Sequence, residues 1–160
     1  MKLKYALSMV LLAIVSGFRL GAEREEICNA AALHPLPDGH ETVTLEAAVA
    51  TKYLLLAKGT ASQSAILCTA ALNPLGPTPD EGAILDKVAV ALLGAVTGTV
   101  SMIASKAIAE NTQVYATAAG KVTDAVVTGA YWVGKTAPGS LAAADGDIIS
   151  VIPRFPRINP

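Results

Sequence analysis

The eight residues Gly129-Ala-Tyr-Trp-Val-Gly134-Lys135-Thr136 satisfy the phosphate-loop pattern GxxxxGK[ST] letter for letter. In a working loop the backbone N–H groups wrap a phosphate, the lysine reaches its outer oxygens and the hydroxyl holds magnesium. That chemistry needs a buried strand before the loop and a helix opening directly after it. Here the interior is Tyr131-Trp132-Val133, bulky residues that suit a strand. Pro138-Gly139 follows where the helix should run, and no βαβ unit precedes Gly129. Asp145 and Asp147 precede an apolar strand instead of ending one, so neither is placed as a magnesium ligand. Gly129, Gly134, Lys135 and Thr136 are read as a chance match, and no cofactor is expected.

Other chemistry fails sooner. His34 and His40 flank HPLPDGH, and Asp38 could join them around a metal, but three or four converging ligands are needed and no Cys or carboxylate cluster stands beside them. The Pro and Gly content marks an ordinary loop. Cys28 and Cys68 are the only cysteines, without CxxC spacing, and are read as free thiols, with a single disulfide open in an oxidising compartment. There is no GxSxG elbow and no HExxH. Asp80, Glu81 and Asp86 fall in or near a proline-rich connection and read as a solvated turn. No catalytic residue and no metal ligand is assigned, and the chain is not expected to be an enzyme.

The elements around these residues are short. From Lys87 to Pro156 the chain reads KVAVALLG, TGTVSMIA, a spacer SKAIAENT, QVYATAAGKV, GAYWVGKTA and DGDIISVIP. Short β-prone runs at close spacing with Gly, Asp and Asn turns between them predict an all-β barrel or sandwich. ETVTLEAAV has the period of two of a half-buried strand, and KYLLLAKG and SAILCTA are two further apolar runs. Val88 to Leu93 is continuous enough to be buried on both faces. LNPLGPTPDEG, with three prolines and two glycines, predicts an irregular connection. Ser105 to Asn111 predicts the one short helix of the body, capped by Ser105 and ended by Asn111.

The 160 residues suit one domain, over 23–160, preceded by an apolar segment over 1–22. Net charge is −1, which leaves no basic field to hold nucleic acid. Charged residues are 16% against 52% hydrophobic, so little polar cover is available, and association with other subunits is favoured. The N-terminal segment has two readings. Two lysines by Lys4 and the apolar run Tyr5 to Val15 fit a secretory signal, too short for a spanning helix. Arg19 and Leu20 stand awkwardly at its cleavage region. The other reading is a helical or extended arm that docks on a neighbour, with GAEREE as its polar exit.

One resemblance becomes specific over Lys87 to Pro153. The ordered set VALLG, V-x-x-I-A-S-x-A-I-A, Q-V-Y-A-T-A-A-G-K-V, G-A-Y-W-V-G-K and A-A-A-D-G-D-I-I-S-V-I-P resembles the small phage head decoration, or capsid cement, proteins of the DUF2190 type. A weaker likeness extends back through HPLPDGHETVTLEAAVATKYLLLAKG to about His34. The resemblance implies a mainly β, single-domain barrel or β-tulip-like sandwich, often trimeric, on the outside of the expanded phage head. Its partners would be the major capsid protein and copies of itself, without nucleic acid or membrane in the mature virion. On that reading Leu7, Leu11 and Ile14 of the arm, with His34, Leu36 and His40, are the residues expected to contact capsid or subunit. The competing reading is a small exported β-domain with a cleaved signal peptide, secreted or periplasmic.

Overall fold

The computed structural model describes residues 39–160. Leu7, Leu11, Ile14, Cys28, His34, Leu36 and Asp38 lie outside the described residues, as does the apolar segment 1–22. What is described is almost entirely β. The strands are β1 (His40–Leu45), β2 (Leu55–Lys58), β3 (Ser64–Leu67), β4 (Pro74–Pro77) and β5 (Lys87–Ala91). They continue as β6 (Val100–Ile103), β7 (Gln113–Ala116), β8 (Val122–Thr123), β9 (Tyr131–Thr136) and β10 (Ile148–Ile158). A three-residue 3-10 turn, Ala118–Gly120, precedes β8. The mainly β fold class expected from the strand spacing is the one observed.

Two five-stranded sheets form, in the orders β4-β2-β3-β1-β5 and β6-β10-β9-β7-β8. Every strand pair is antiparallel except β1 with β3. The first sheet curls until its edges meet, where Leu93 N just past β5 donates to Leu75 O in β4 at 2.8 Å. The curl encloses Val43, Leu45, Leu56, Ala65, Val88 and Val90, drawn from four of its strands, and Leu75 of β4 packs against them. Its outer surface carries Leu55, Ala57, Cys68, Ala91 and Leu93, which pack with Val100, Met102, Val114, Val133, Ile149 and Val151 of the second sheet. In β2 the alternation sends Leu55 and Ala57 to one core and Leu56 to the other, so all three are buried. The second sheet also draws its edges together, through a parallel bridge between Ala104 and Val122.

Two sequence expectations are corrected. Ser105 to Asn111 is not a helix: Ser105 N donates to Val122 O at 2.8 Å, and Ile108 exchanges bonds of 2.9 and 3.0 Å with Ala142. A helix of seven residues carries the full nucleation cost for few bonds, and here sheet partners on both sides offer the same backbone groups better ones. Asn111 sits at φ +57, ending the segment as a turn. The second correction is Pro74-Leu-Gly-Pro77, inside the expected irregular connection, which is β4. Proline is tolerated because β4 lies at the end of the strand order and owes no N–H to a further neighbour.

Gly76 is required by the closure of the first sheet, since a Cβ there would collide with the Ala91 carbonyl oxygen. Gly76→Ala should therefore cost about 1–3 kcal/mol in urea unfolding, the range for overpacking a tight site. A variant as stable as the parent would show that β4 and β5 do not close on one another.

The turn between β2 and β3 is tied to the end of β1 by one carboxylate oxygen. Glu46 Oε1 accepts from Ser64 Oγ, from Thr60 N at 2.7 Å, from Thr60 Oγ1 at 3.0 Å and from Ala61 N at 2.9 Å. The Ser64 hydroxyl first, and then the backbone and Thr60 donors, hold the Glu46 carboxyl at about 2 against an ordinary 4.5. A pKa lowered on folding gives stability that is present above the unfolded value and is lost as pH falls from about 4.5 through about 2. Glu46→Gln should flatten the fall of the unfolding midpoint over that window. An acid limb identical to the parent's would remove Glu46 from the account.

Candidate assembly surfaces

The phosphate-loop letters fall on a strand. Gly134 pairs with Pro153 of β10 and Val114 of β7, and Lys135 with Ile152 and Gln113, so β9 is laddered on both sides. A Cβ at Gly134 would collide with the Ile152 carbonyl oxygen, which makes this glycine a sheet-packing residue. Thr136 is fully buried, accepting from Thr112 N at 2.8 Å and donating to Ala109 O at 2.9 Å. Its hydroxyl pins the 105–112 connection. Gly129 lies apart from these three, in the turn before β9 at φ +81. The backbone that would have to wrap a phosphate is committed to sheet bonds.

The remaining candidates scatter. His40 opens β1 opposite Ala91 and lines a cleft of about 440 Å³ with Tyr53, Pro77, Thr97 and Ser101. Cys68 is a buried free thiol pushed up to about 12 by desolvation, with Sγ 3.2 Å from Thr69 O. Asp147 shapes the turn into β10, its Oδ2 accepting from Ala143 N at 2.7 Å and Ala144 N at 2.9 Å. Asp145 pairs with Lys121 at 2.7 Å. Among the described residues no group of three or more His, Cys, Asp or Glu is placed to hold a metal ion. Among the same residues no helix is long and apolar enough to cross a membrane.

What the residue-by-residue reading missed lies on the outer face of β7, β9 and β10. Trp132, Lys135, Ile152, Arg154, Phe155 and Arg157 line a cleft of about 450 Å³ there, together with Gln113. Both arginines of the described residues, their tryptophan and their phenylalanine meet in this one place. Register does it: Trp132 faces Arg157 and Lys135 faces Ile152 across the β9–β10 ladder. The Trp132 indole N–H donates to Gly134 O at 2.7 Å, which fixes the ring. Phe155 is 70% exposed, with its ring resting on Gly94. The signal available in the sequence was the run Arg154-Phe155-Pro156-Arg157, two cations flanking an aromatic in a strand.

No family model and no curated protein matches this chain, so the decoration-family resemblance finds no support at that level. A solved structure does match. The base of the head fibre protein gp8.5 of bacteriophage phi29 superposes with a TM-score of 0.58 at 13% identity. The match covers 76% of this chain and 98% of that one. The likeness is one of fold. It spans the whole of the compared base domain, so the architecture is shared and not one hairpin within it.

Magnesium-ATP should leave the melting temperature of the protein unchanged, and Lys135→Ala should leave the β-sheet circular dichroism intact. An ATP-dependent stabilisation that disappears in Lys135→Ala would restore Gly129 to Thr136 as a nucleotide site.

Proposed function

We propose that this chain is a structural protein of a phage virion, a decoration or cement protein on the outside of the head. The observation that carries the reading is the fold shared with the base of a phage head fibre protein over 98% of that domain. The surface supports it. Ile84, Leu85, Val126, Val127, Leu141, Ile148 and Phe155 are exposed large apolar side chains, two pairs of them adjacent in sequence, which contact with other subunits would cover. Val126 and Val127 are brought beside the end of β10 by Asn159, and Leu141 and Ile148 line a shallow cleft of about 460 Å³.

In this reading the protein binds the expanded head and braces junctions between major capsid proteins. It acts as a homotrimer, and it is not an enzyme. Each copy would bury a modest area, and a cyclic assembly would multiply those contacts across several capsid subunits. Because it binds the expanded shell alone, it would stabilise that shell by mass action. The contacts assigned to the arm and to His34, Leu36 and His40 belong to this proposal.

Quantitative mass spectrometry of purified particles tests it, reading copy number and the N-terminal peptide together. A copy number comparable with the major capsid protein, with Met1 or Lys2 at the terminus, is expected. Absence from particles, with a terminus near Phe18 or Glu23 in an exported fraction, would overturn it in favour of a secreted β-domain.

A further inference from the structure

The cleft on β7, β9 and β10 is electrostatically one-sided. Lys135, Arg154 and Arg157 line it with no carboxylate among the lining residues, and none of the three makes an ion pair among the described residues. Lys106 and Lys121, by contrast, are each paired with an aspartate at 2.7 Å. Arg154, Arg157 and Lys135 are exposed, and exposed arginine beside tryptophan and phenylalanine is the composition that interface anchors draw on when a partner covers them.

A surface of the opposite character lies in the β4–β5 connection. Residues 79–87 are exposed except for Gly82. They carry Asp80, Glu81 and Asp86 against Lys87, three negative charges and one positive, a net of −2. At its tip Ile84 is 60% and Leu85 75% exposed, and Leu85 is held at φ +72. Bonds of 2.8 and 2.9 Å between Leu45 and Leu85 or Asp86 fix the tip against the end of β1, so the apolar pair is presented by a built turn.

The two surfaces cannot meet within one molecule. Asp86 precedes the start of β5, whereas Phe155 of the cleft rests on Gly94 beyond its other end. Seven residues lie between Asp86 and Gly94, and the five of β5, being extended, alone set the two ends on the order of 16 Å apart at ~3.3 Å each. We infer that the occupant of the cleft is a second copy of this chain, its Ile84-Leu85 tip lying against Trp132 and Phe155 and its Asp80 and Glu81 facing Arg154 and Arg157. Such a contact is head-to-tail. It leaves one loop and one cleft open at each step, and is satisfied throughout when the copies close into a ring. The inference rests on the assembly reading above only in taking copies to associate, and it involves no capsid protein.

Light scattering on size-separated full-length protein tests it in solution, with two folded variants. Arg154→Glu with Arg157→Glu removes the cleft's charge and leaves the loop. Glu81→Lys with Leu85→Asn removes the tip and leaves the cleft; asparagine tolerates positive φ, and Glu81 makes no hydrogen bond among the described residues. Circular dichroism confirms that each is folded. The parent is expected to be a closed oligomer whose association weakens with salt, and each variant alone a monomer. Mixed one to one, the variants should double in mass, because each supplies the surface the other has lost. A parent that is monomeric at all concentrations, a variant that assembles like the parent, or a mixture that stays monomeric would each overturn the inference. If the parent is monomeric yet abundant on particles, this inference fails while the virion reading stands.

Discussion

The rest of the structure depends on β2 and β5 of the first sheet being buried on both faces of that sheet. Its concave side closes around one apolar cluster and its convex side packs on the second sheet, so β2 and β5 have no solvent face to spare. Leu55, Leu56 and Ala57 are consecutive and all buried, which an ordinary half-exposed strand does not allow. Fully burying a leucine contributes roughly 1.5–3 kcal/mol, and a strand that does so with neighbours on both faces anchors two cores at once. The cost is paid in charge placement. Any lysine, arginine or carboxylate must sit at a strand end, in a turn, or on the outer face of the second sheet. The low charge content of the chain is thus a consequence of the architecture, and its charges collect where that architecture leaves room.

How much of this was legible follows from how local each signal is. Val88 to Leu93 read as buried on both faces because burial on two sides writes a continuous apolar run. Thr42, Thr44 and their alternating partners read as a strand because β1 keeps a polar side. Pro74 to Pro77 did not read as a strand, since two prolines and a glycine are turn chemistry unless an edge is known to be there. Ser105 to Asn111 read as a helix because its caps are local and its true partners, Val122 and Ala142, are not. The parallel pairing of β1 with β3 and the contact of Leu93 with Leu75 join segments that no periodicity connects.

The same distinction separates the phosphate-loop letters from the cleft on β7, β9 and β10. Gly129 to Thr136 is a contiguous pattern, so it stands out in the sequence, yet its meaning rests on the element that bears it. Once Tyr131 to Thr136 is a strand bonded on two sides, its lysine is a surface cation and its threonine a packing hydroxyl. Trp132 and Arg157 form no motif and become neighbours only through the register of β9 on β10. Register is set by the whole sheet, including the irregularity between Pro153 and Arg157, and is not written beside either residue. A fold retained at 13% identity makes the same point from the other side. The same fold can be built with largely different side chains.

β10 shows what kind of association this surface permits. β6 pairs with β10 from Ile148 to Val151, and beyond that β10 continues to Ile158 with β9 as its neighbour. Among the described residues its other edge has no partner there, and an open strand edge of this length invites a foreign strand to add to it. Pro153 and Pro156 stand in this stretch and have no N–H to offer, so strand addition is blocked where it would otherwise be easiest. The exposed side chains of the same stretch are Ile152, Arg154, Phe155, Arg157 and Ile158, aromatic, cationic and aliphatic groups together. In the proposed assembly such a strand, which refuses backbone pairing while presenting aromatic and cationic side chains, would make its contact through its face. Contact of that kind depends on shape and charge, so it selects a partner, where edge pairing would accept almost any extended chain.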